Sequence, residues 1–268
     1  MRPAAIPAVS TTRWRDLIVF AAAWAFAVAF IAAVLAEPRS PGDALAYWRT
    51  WHGPLYGVID GSTGYIYPPV AVLLFLPAAV LPWPAFCAAW LTLLVACALW
   101  LVWPLPVRLR IPIFAALAAS LVWGNIATLL AVGLVLVPRR PALWALQAWV
   151  KLTPVVGAVS LLAQRRWHDF ALAVLVTAAI GAGMLLFAPG VTASWVHYLL
   201  AHQEVPSYWL AVLPWSPPLA LRLAVAAGVA YFGASRPWTL AIAAAIATPD
   251  LSLSTCGVLA AIPRLARG

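Results

Sequence analysis

Short clusters of arginine fence one apolar stretch after another along this chain: Arg13/Arg15, Arg108/Arg110, Arg139/Arg140, Arg165/Arg166, Arg236 and Arg264/Arg267. The intervals between them are too greasy for the core of a water-soluble domain. With 65% hydrophobic and 9% charged residues and a mean hydropathy of +0.97, the chain lies outside the soluble globular class. The expectation is an all-α, polytopic transmembrane bundle, a single integral membrane domain over residues 1–268 without a soluble module. The formal charge of +9 raises the question of nucleic acid. The distribution answers it, because basic groups grouped between apolar runs follow the positive-inside pattern and favour anionic lipid headgroups. Membrane lipids are therefore expected partners and nucleic acid is not.

The rest of the composition agrees. Cys87, Cys97 and Cys256 sit in apolar surroundings without metal-ligand spacing, and their odd number argues against a disulfide framework. Trp14, Trp83, Trp103, Trp195, Trp209 and Trp238 flank apolar runs as interfacial belts do. The N-terminal run Leu17–Ala36 is long enough to span and too long for a signal core, so it reads as a retained first helix.

Placing every basic cluster in the cytoplasm sets the topology. Leu17–Ala36 then runs outward and delivers a first outer loop, residues 37–67. The proline-fenced segment Val70–Leu81 reads as interfacial or re-entrant, and Ala85–Trp103 as a full span running inward. Three later intervals each carry a break near the middle: Gly124-Asn125, Lys151-Leu152-Thr153-Pro154 and Thr248-Pro249-Asp250. Non-helical backbone at membrane depth is tolerated only inside protein or beside a wet cavity. Each interval is accordingly read as two short helices, out and back, with its break on the outer side. Ala171–Phe187 reads as an outward span, residues 188–217 as a second outer loop, and Pro218–Ala234 as the return. The total is about ten membrane-entering helices, several of them short and broken.

The polar residues gathered on the outer side in this scheme are candidates for chemistry. The set comprises Asp43, Tyr65, Tyr67, Asn125, Lys151, His202, Glu204 and Asp250, joined by Tyr47 and Arg49 from the first loop. Lys151 lies in an apolar run far from the cytoplasmic clusters and calls for an anion, since intramembrane charges usually mark a pathway or a site. A snorkelling lysine is the plainer alternative. Gly-rich phosphate loops, H-E-x-x-H and nucleophile elbows are lacking, and the four histidines have no metal spacing. His52 and His168 read as interfacial loop residues.

The order of these motifs resembles a known family. Gly42-Asp43-Ala44-Leu45-Ala46-Tyr47 is followed by Tyr65-Ile66-Tyr67-Pro68-Pro69, then Gly124-Asn125, then Lys151-Leu152-Thr153-Pro154. Together, over roughly residues 17–166, they are similar to the polyprenol-phosphate-sugar-dependent glycosyltransferases of family 87, relatives of mannosyltransferases acting on phosphatidylinositol mannosides. The resemblance implies a C-type glycosyltransferase fold in the cell membrane and an outer active site. It also implies a lipid-phosphate sugar donor, mannose being the expected sugar, and a lipid or glycan acceptor. By position Asp43 matches the family's catalytic base and Lys151 the lysine of its Lys-x-x-Pro motif. The chemistry fits the residues independently, because a carboxylate can deprotonate an acceptor hydroxyl and cations can meet the charge developing on a departing phosphate. Lys151, Arg49 and His202 are candidates for the phosphate. Tyr47, Tyr65, Tyr67, Asn125, Glu204 and Asp250 are candidates for sugar or acceptor binding. No metal or other cofactor is expected. The competing readings are a small-molecule or lipid transporter built on broken helices and a non-catalytic membrane scaffold.

Overall fold

The computed structural model describes residues 42–52, 55–56, 65–201, 217–248 and 254–267, with scattered helical positions between 14 and 28. The expectations for His202, Glu204 and Asp250, and for most of Leu17–Ala36, fall outside the described residues. Within them the architecture is all-α: α-helices joined by 3-10 turns, without a strand.

The first outer segment opens with a helix, α1 (Gly42–His52), carrying Asp43 in its first turn and Arg49 and His52 in its last. Acid at the N-terminus and base at the C-terminus both complement the helix dipole. After the 3-10 turn Pro69–Ala71 comes α2 (Val72–Ala79), only eight residues long. Pro82 and Pro84 do not delay the next helix, as proline is tolerated in a first helical turn. Thus α3 spans Trp83–Val102, two residues earlier than hydropathy places it. It is one of two helices among the described residues long and apolar enough to cross a membrane.

The other is α9 (Trp167–Phe187), four residues longer at its start than the apolar run suggests. Val174, Leu175, Leu185 and Leu186 are exposed along it, and Phe187 is 89% exposed. Such a surface needs lipid or a partner. A second helix, α10 (Pro189–Ala201), follows almost at once. The second outer segment, expected to be a loop from 188 to 217, is therefore helical through its first half. Thr192 Oγ1 donates to the Ala188 and Met184 carbonyls at 2.9 and 3.3 Å, a second bond to each beside the backbone N–H groups of Thr192 and Ala188, and so ties α10 to the end of α9.

All other described helices are short. They are α4 (Val107–Ala116), α5 (Ala118–Val122), α6 (Ala127–Leu136), α7 (Trp144–Lys151), α8 (Val159–Ala163), α11 (Leu219–Phe232), α12 (Thr239–Ala247) and α13 (Ile262–Leu265). Among the described residues two helices have full membrane-crossing length and the others are shorter. The three sequence breaks fall between α5 and α6, directly after α7, and directly after α12.

Basic residues collect at the far ends of these short helices. Arg166 Nη2 donates to the Pro138 carbonyl at 2.9 Å, and Gln164 Nε2 to the Ala234 carbonyl at 3.0 Å. These bonds bring the Arg139, Arg165 and Arg236 neighbourhoods together. Arg264 Nε donates to the Trp100 carbonyl at 2.7 Å with its guanidinium over the Trp100 ring, and Arg110 lies over Trp103. Arg222 differs: buried in the first turn of α11, it donates from Nε to the Ile246 carbonyl at 3.2 Å, beside the third break.

Candidate active site

Two of the helix interruptions meet beside Asp43, and the third carries a charge that reaches one of them. Gly124 ends the turn after α5 with φ +68°, a conformation open to glycine without steric cost. A Cβ there would lie 2.6 Å from Ala44 Cβ. The close approach lets Ala44 N–H donate to the Trp123 carbonyl at 3.2 Å, while Trp90 Nε1 donates to the Gly124 carbonyl at 2.8 Å. The break is thus clamped between α1 and α3. Gly124→Ala should cost about 2–4 kcal/mol through left-handed strain and overpacking. It should also lower activity by moving α1, and thermal unfolding measured beside activity checks both.

Asn125, 4% exposed, follows in the same turn. Its Oδ1 accepts from the Ala127 N–H at 2.8 Å, at the start of α6. That bond fixes the amide's orientation, because a backbone N–H requires the oxygen on its side. Nδ2 consequently faces Asp43 and donates to its Oδ2 at 2.8 Å, and to Ser254 Oγ at 3.3 Å. Ser254 opens the 3-10 segment Thr255–Ala261, which resumes the chain after the third break. Gly257 of that segment packs against Ser120 and Ala127. Ser120 Oγ in turn bonds Thr128 Oγ1 at 3.1 Å, tying α5 to α6.

Lys151 approaches from the remaining break. It is the last residue of α7, and the chain leaves through Leu152 at φ 43°, ψ −62°. Pro154 explains the stop, because in a continued helix it would have no N–H for the Val150 carbonyl and its ring would clash with that carbonyl. A positive φ with negative ψ at a leucine is sparsely populated and costs on the order of 1–3 kcal/mol, and such strain concentrates at functional sites. The Lys151 charge acts on the Cys256 sulfur, two residues beyond Ser254. The ammonium is therefore within electrostatic reach of the segment that meets Asn125 and Asp43.

The tyrosines lie beneath this cluster. Tyr47 is fully buried, stacked on Phe75 at 4.2 Å between ring centres, with Trp90 edge-on at 5.5 Å. Its hydroxyl bonds Tyr67 Oη at 3.0 Å and accepts from the Ile126 N–H at 3.4 Å. Burial first, then the neighbouring Tyr67 and Asp43, push the Tyr47 phenol well above its ordinary pKa, so it keeps its proton. Tyr65, 5% exposed, donates to the Pro68 carbonyl at 3.1 Å, and Tyr67 accepts from Tyr56 Oη at its own carbonyl, 2.6 Å away. In this structure the three rings form a floor that orients α1, with no open face turned outward. Tyr47→Phe should cost about 2 kcal/mol, two buried hydrogen bonds, with substrate affinity unchanged. A loss of affinity at constant thermal stability would instead move Tyr47 into the binding surface.

Arg49 is exposed, in the last turn of α1, away from Asp43 at the opposite end of that helix. Trp48 Nε1 donates to the Leu81 carbonyl at 2.8 Å, and His52 Nε2 lies 3.0 Å from the Ala79 carbonyl, so both join α1 to the end of α2. Tyr198 of α10 meets Tyr56 at 6.0 Å, which brings the two outer segments together. Among the described residues no three His, Cys, Asp or Glu side chains converge as metal ligands. Two contributors escape sequence reasoning: Ser254, whose only signal is a polar Ser-Thr-Cys run after the third break, and Trp90, which hydropathy reads as one more apolar residue.

Among the described residues the fold is all-helical, and helix breaks bring a carboxylate and an amide together with a lysine charge acting on the adjoining segment. A family model, Glycosyltransferase family 87, matches residues 65–267, about three quarters of the chain. The chain belongs to glycosyltransferase family 87. The match contains Tyr65, Tyr67, Asn125, Lys151 and Ser254, and reaches well beyond residue 166, where the motif resemblance ends. Asp43 precedes it and is joined to it through Asn125. Neither the curated proteins nor the solved structures gave a match.

Proposed function

We propose that this glycosyltransferase moves a sugar, mannose by family resemblance, from a polyprenyl-phosphate donor to a hydroxyl of a lipid or glycan acceptor. In this reading the site opens on the outer face of the cell membrane and Asp43 is the general base. The observation that carries it is the 2.8 Å bond from Asn125 to Asp43, made where broken helices meet and within reach of the Lys151 charge. Asn125, locked by the Ala127 N–H, holds the carboxylate in one orientation. Asp43 would take the acceptor hydroxyl proton as the oxygen attacks the anomeric carbon. The bond from that carbon to the phosphate oxygen breaks, and its electron pair leaves with the polyprenyl phosphate. The phosphate passes from monoanionic diester to a monoester of higher charge. A cation beside it therefore stabilises the transition state more than the ground state, the condition for catalysis. Lys151 is suited to this as a compact ammonium on a flexible stem.

Depth supports a lipid-borne donor. Trp90, which bonds the Gly124 break, is seven residues inside α3, about 10 Å from its start at 1.5 Å per residue. With the arginine ends in the cytoplasm by the positive-inside rule, the catalytic cluster sits below the outer surface, and the short helices enter the membrane in pairs. A donor anchored by its own polyprenyl chain reaches that level without leaving the bilayer. Purified protein in vesicles, given a radiolabelled polyprenyl-phosphate sugar and a lipid extract, should move label into the acceptor fraction. Label moving only from a nucleotide sugar would contradict the donor class, and sugar-lipid crossing the bilayer intact would favour a transporter.

A further inference from the structure

Arg222 is the buried arginine among the described residues, only 3% exposed. It lies in the first turn of α11, about 15 Å from the Phe232 end of that helix at 1.5 Å per residue, and Arg236 follows at that far end. A cation in the first turn opposes the dipole of its own helix, and a guanidinium keeps its charge in any surroundings. Ala226 and Ala230, spaced four and eight residues on, share its helix face and pack with Ala243 and Ala247 of α12. An apolar side chain would fit that alanine seam well, since exchanging a buried charge for a hydrophobic residue is often neutral or stabilising. Stability alone does not account for an arginine here.

The end of α12 shows what the residue does. Pro249 withholds the N–H that the Ala245 carbonyl would accept in a continued helix, and Thr248 turns extended with ψ 123°. The last carbonyls find other donors. Ala244 accepts from Thr248 Oγ1 at 2.8 Å, Ala245 from the Thr248 N–H at 3.3 Å, and Ile246 from Arg222 Nε at 3.2 Å. The cation that α11 disfavours at its start is thus favoured at the negative end of α12. Eight positions after Ile246 comes Ser254, which accepts at 3.3 Å from Asn125 Nδ2, the nitrogen that also holds Asp43. The third break is therefore fastened at its entry by Arg222 and at its exit by Asn125. Val156, in the 3-10 turn that follows the Lys151 break, packs on the same alanine seam with Ile246.

We propose that Arg222 is a positioning residue for sugar transfer: it fixes where the chain leaves α12 and, through Ser254 and Asn125, the orientation of the Asp43 carboxylate. The inference rests on the reading of Asp43 as general base. A double-mutant cycle on the full-length protein in vesicles tests it. Transfer from a radiolabelled polyprenyl-phosphate sugar, donor KM and thermal unfolding are measured for Arg222→Met, Ser254→Ala and the double variant. Arg222→Met should unfold where the parent does, keep the donor KM and lower kcat about tenfold, as a slight misplacement of a catalytic group does. Arg222→Lys, which keeps a cation and N–H donors, should recover part of the rate. Because the two residues act along one path, the double variant should be no slower than the slower single variant. Should Arg222→Met fail to fold, the cycle is read on Arg222→Lys. Independent, multiplying losses in the cycle, a parental kcat in folded Arg222→Met, or a loss confined to KM each overturn the proposal. Asp43→Asn, read separately, keeps the two readings apart. Near-parental transfer by Asp43→Asn beside a non-additive cycle would remove the base and leave the Arg222–Ser254 coupling standing, whereas an inactive Asp43→Asn beside an additive cycle would overturn the Arg222 role alone.

Discussion

Asp43→Asn should lower sugar transfer by about a thousandfold, within the range a positioned general base supplies, while donor affinity and thermal stability stay near those of the parent. The substitution keeps the shape of the side chain, and an Asn oxygen can still accept from Asn125 Nδ2 at the 2.8 Å separation seen for Asp43. What it removes is the ability to take a proton. Single-turnover transfer, donor binding and thermal unfolding on one preparation separate these effects. Asp60, expected on the same outer segment, serves as the comparison: Asp60→Asn should transfer nearly as well as the parent. Near-parental turnover by Asp43→Asn would remove Asp43 from the chemistry.

The second large effect is expected at Lys151. Opposite charges attract strongly in a weakly hydrated setting, so an ammonium beside the departing phosphate should matter most as the bond to the sugar breaks. Lys151→Met should therefore slow transfer about a hundredfold, the loss typical of one transition-state donor, and weaken donor binding less. Lys151→Arg should recover only part, because a planar guanidinium does not replace a compact ammonium. If Lys151 served only the C-terminal dipole of α7 or snorkelled to headgroups, Met would lower stability slightly and leave donor affinity and rate alone.

These expectations rest on features with unequal visibility in the amino-acid sequence. The helix breaks are conspicuous because Gly-Asn, Lys-Leu-Thr-Pro and Thr-Pro-Asp are costly inside apolar runs, so their presence already signals a site. The segregation of arginines from breaks follows from the same intervals. Long-range convergence is another matter. Ser254 meets Asn125 across 129 positions of sequence, and no local pattern encodes that encounter. Tyrosine is ambiguous for a different reason: an amphipathic ring can stack on a sugar or fill a core, and only packing against Phe75 and Trp90 assigns Tyr47 to the floor. Helix α10 was hidden because His197, Tyr198 and their neighbours look like loop polarity, although Thr192 ties the segment to α9 with backbone-directed bonds. Arg49 illustrates the limit of proximity in sequence. Six residues from Asp43, it lies at the other end of α1.

The most direct test is a structure of the Asp43→Asn variant, slowed in transfer, with the polyprenyl-phosphate sugar bound. The account predicts the donor phosphate against Lys151, the anomeric carbon between it and residue 43, and the Asn125 amide still holding that side chain. A phosphate seated elsewhere, with the sugar out of reach of residue 43, would contradict it.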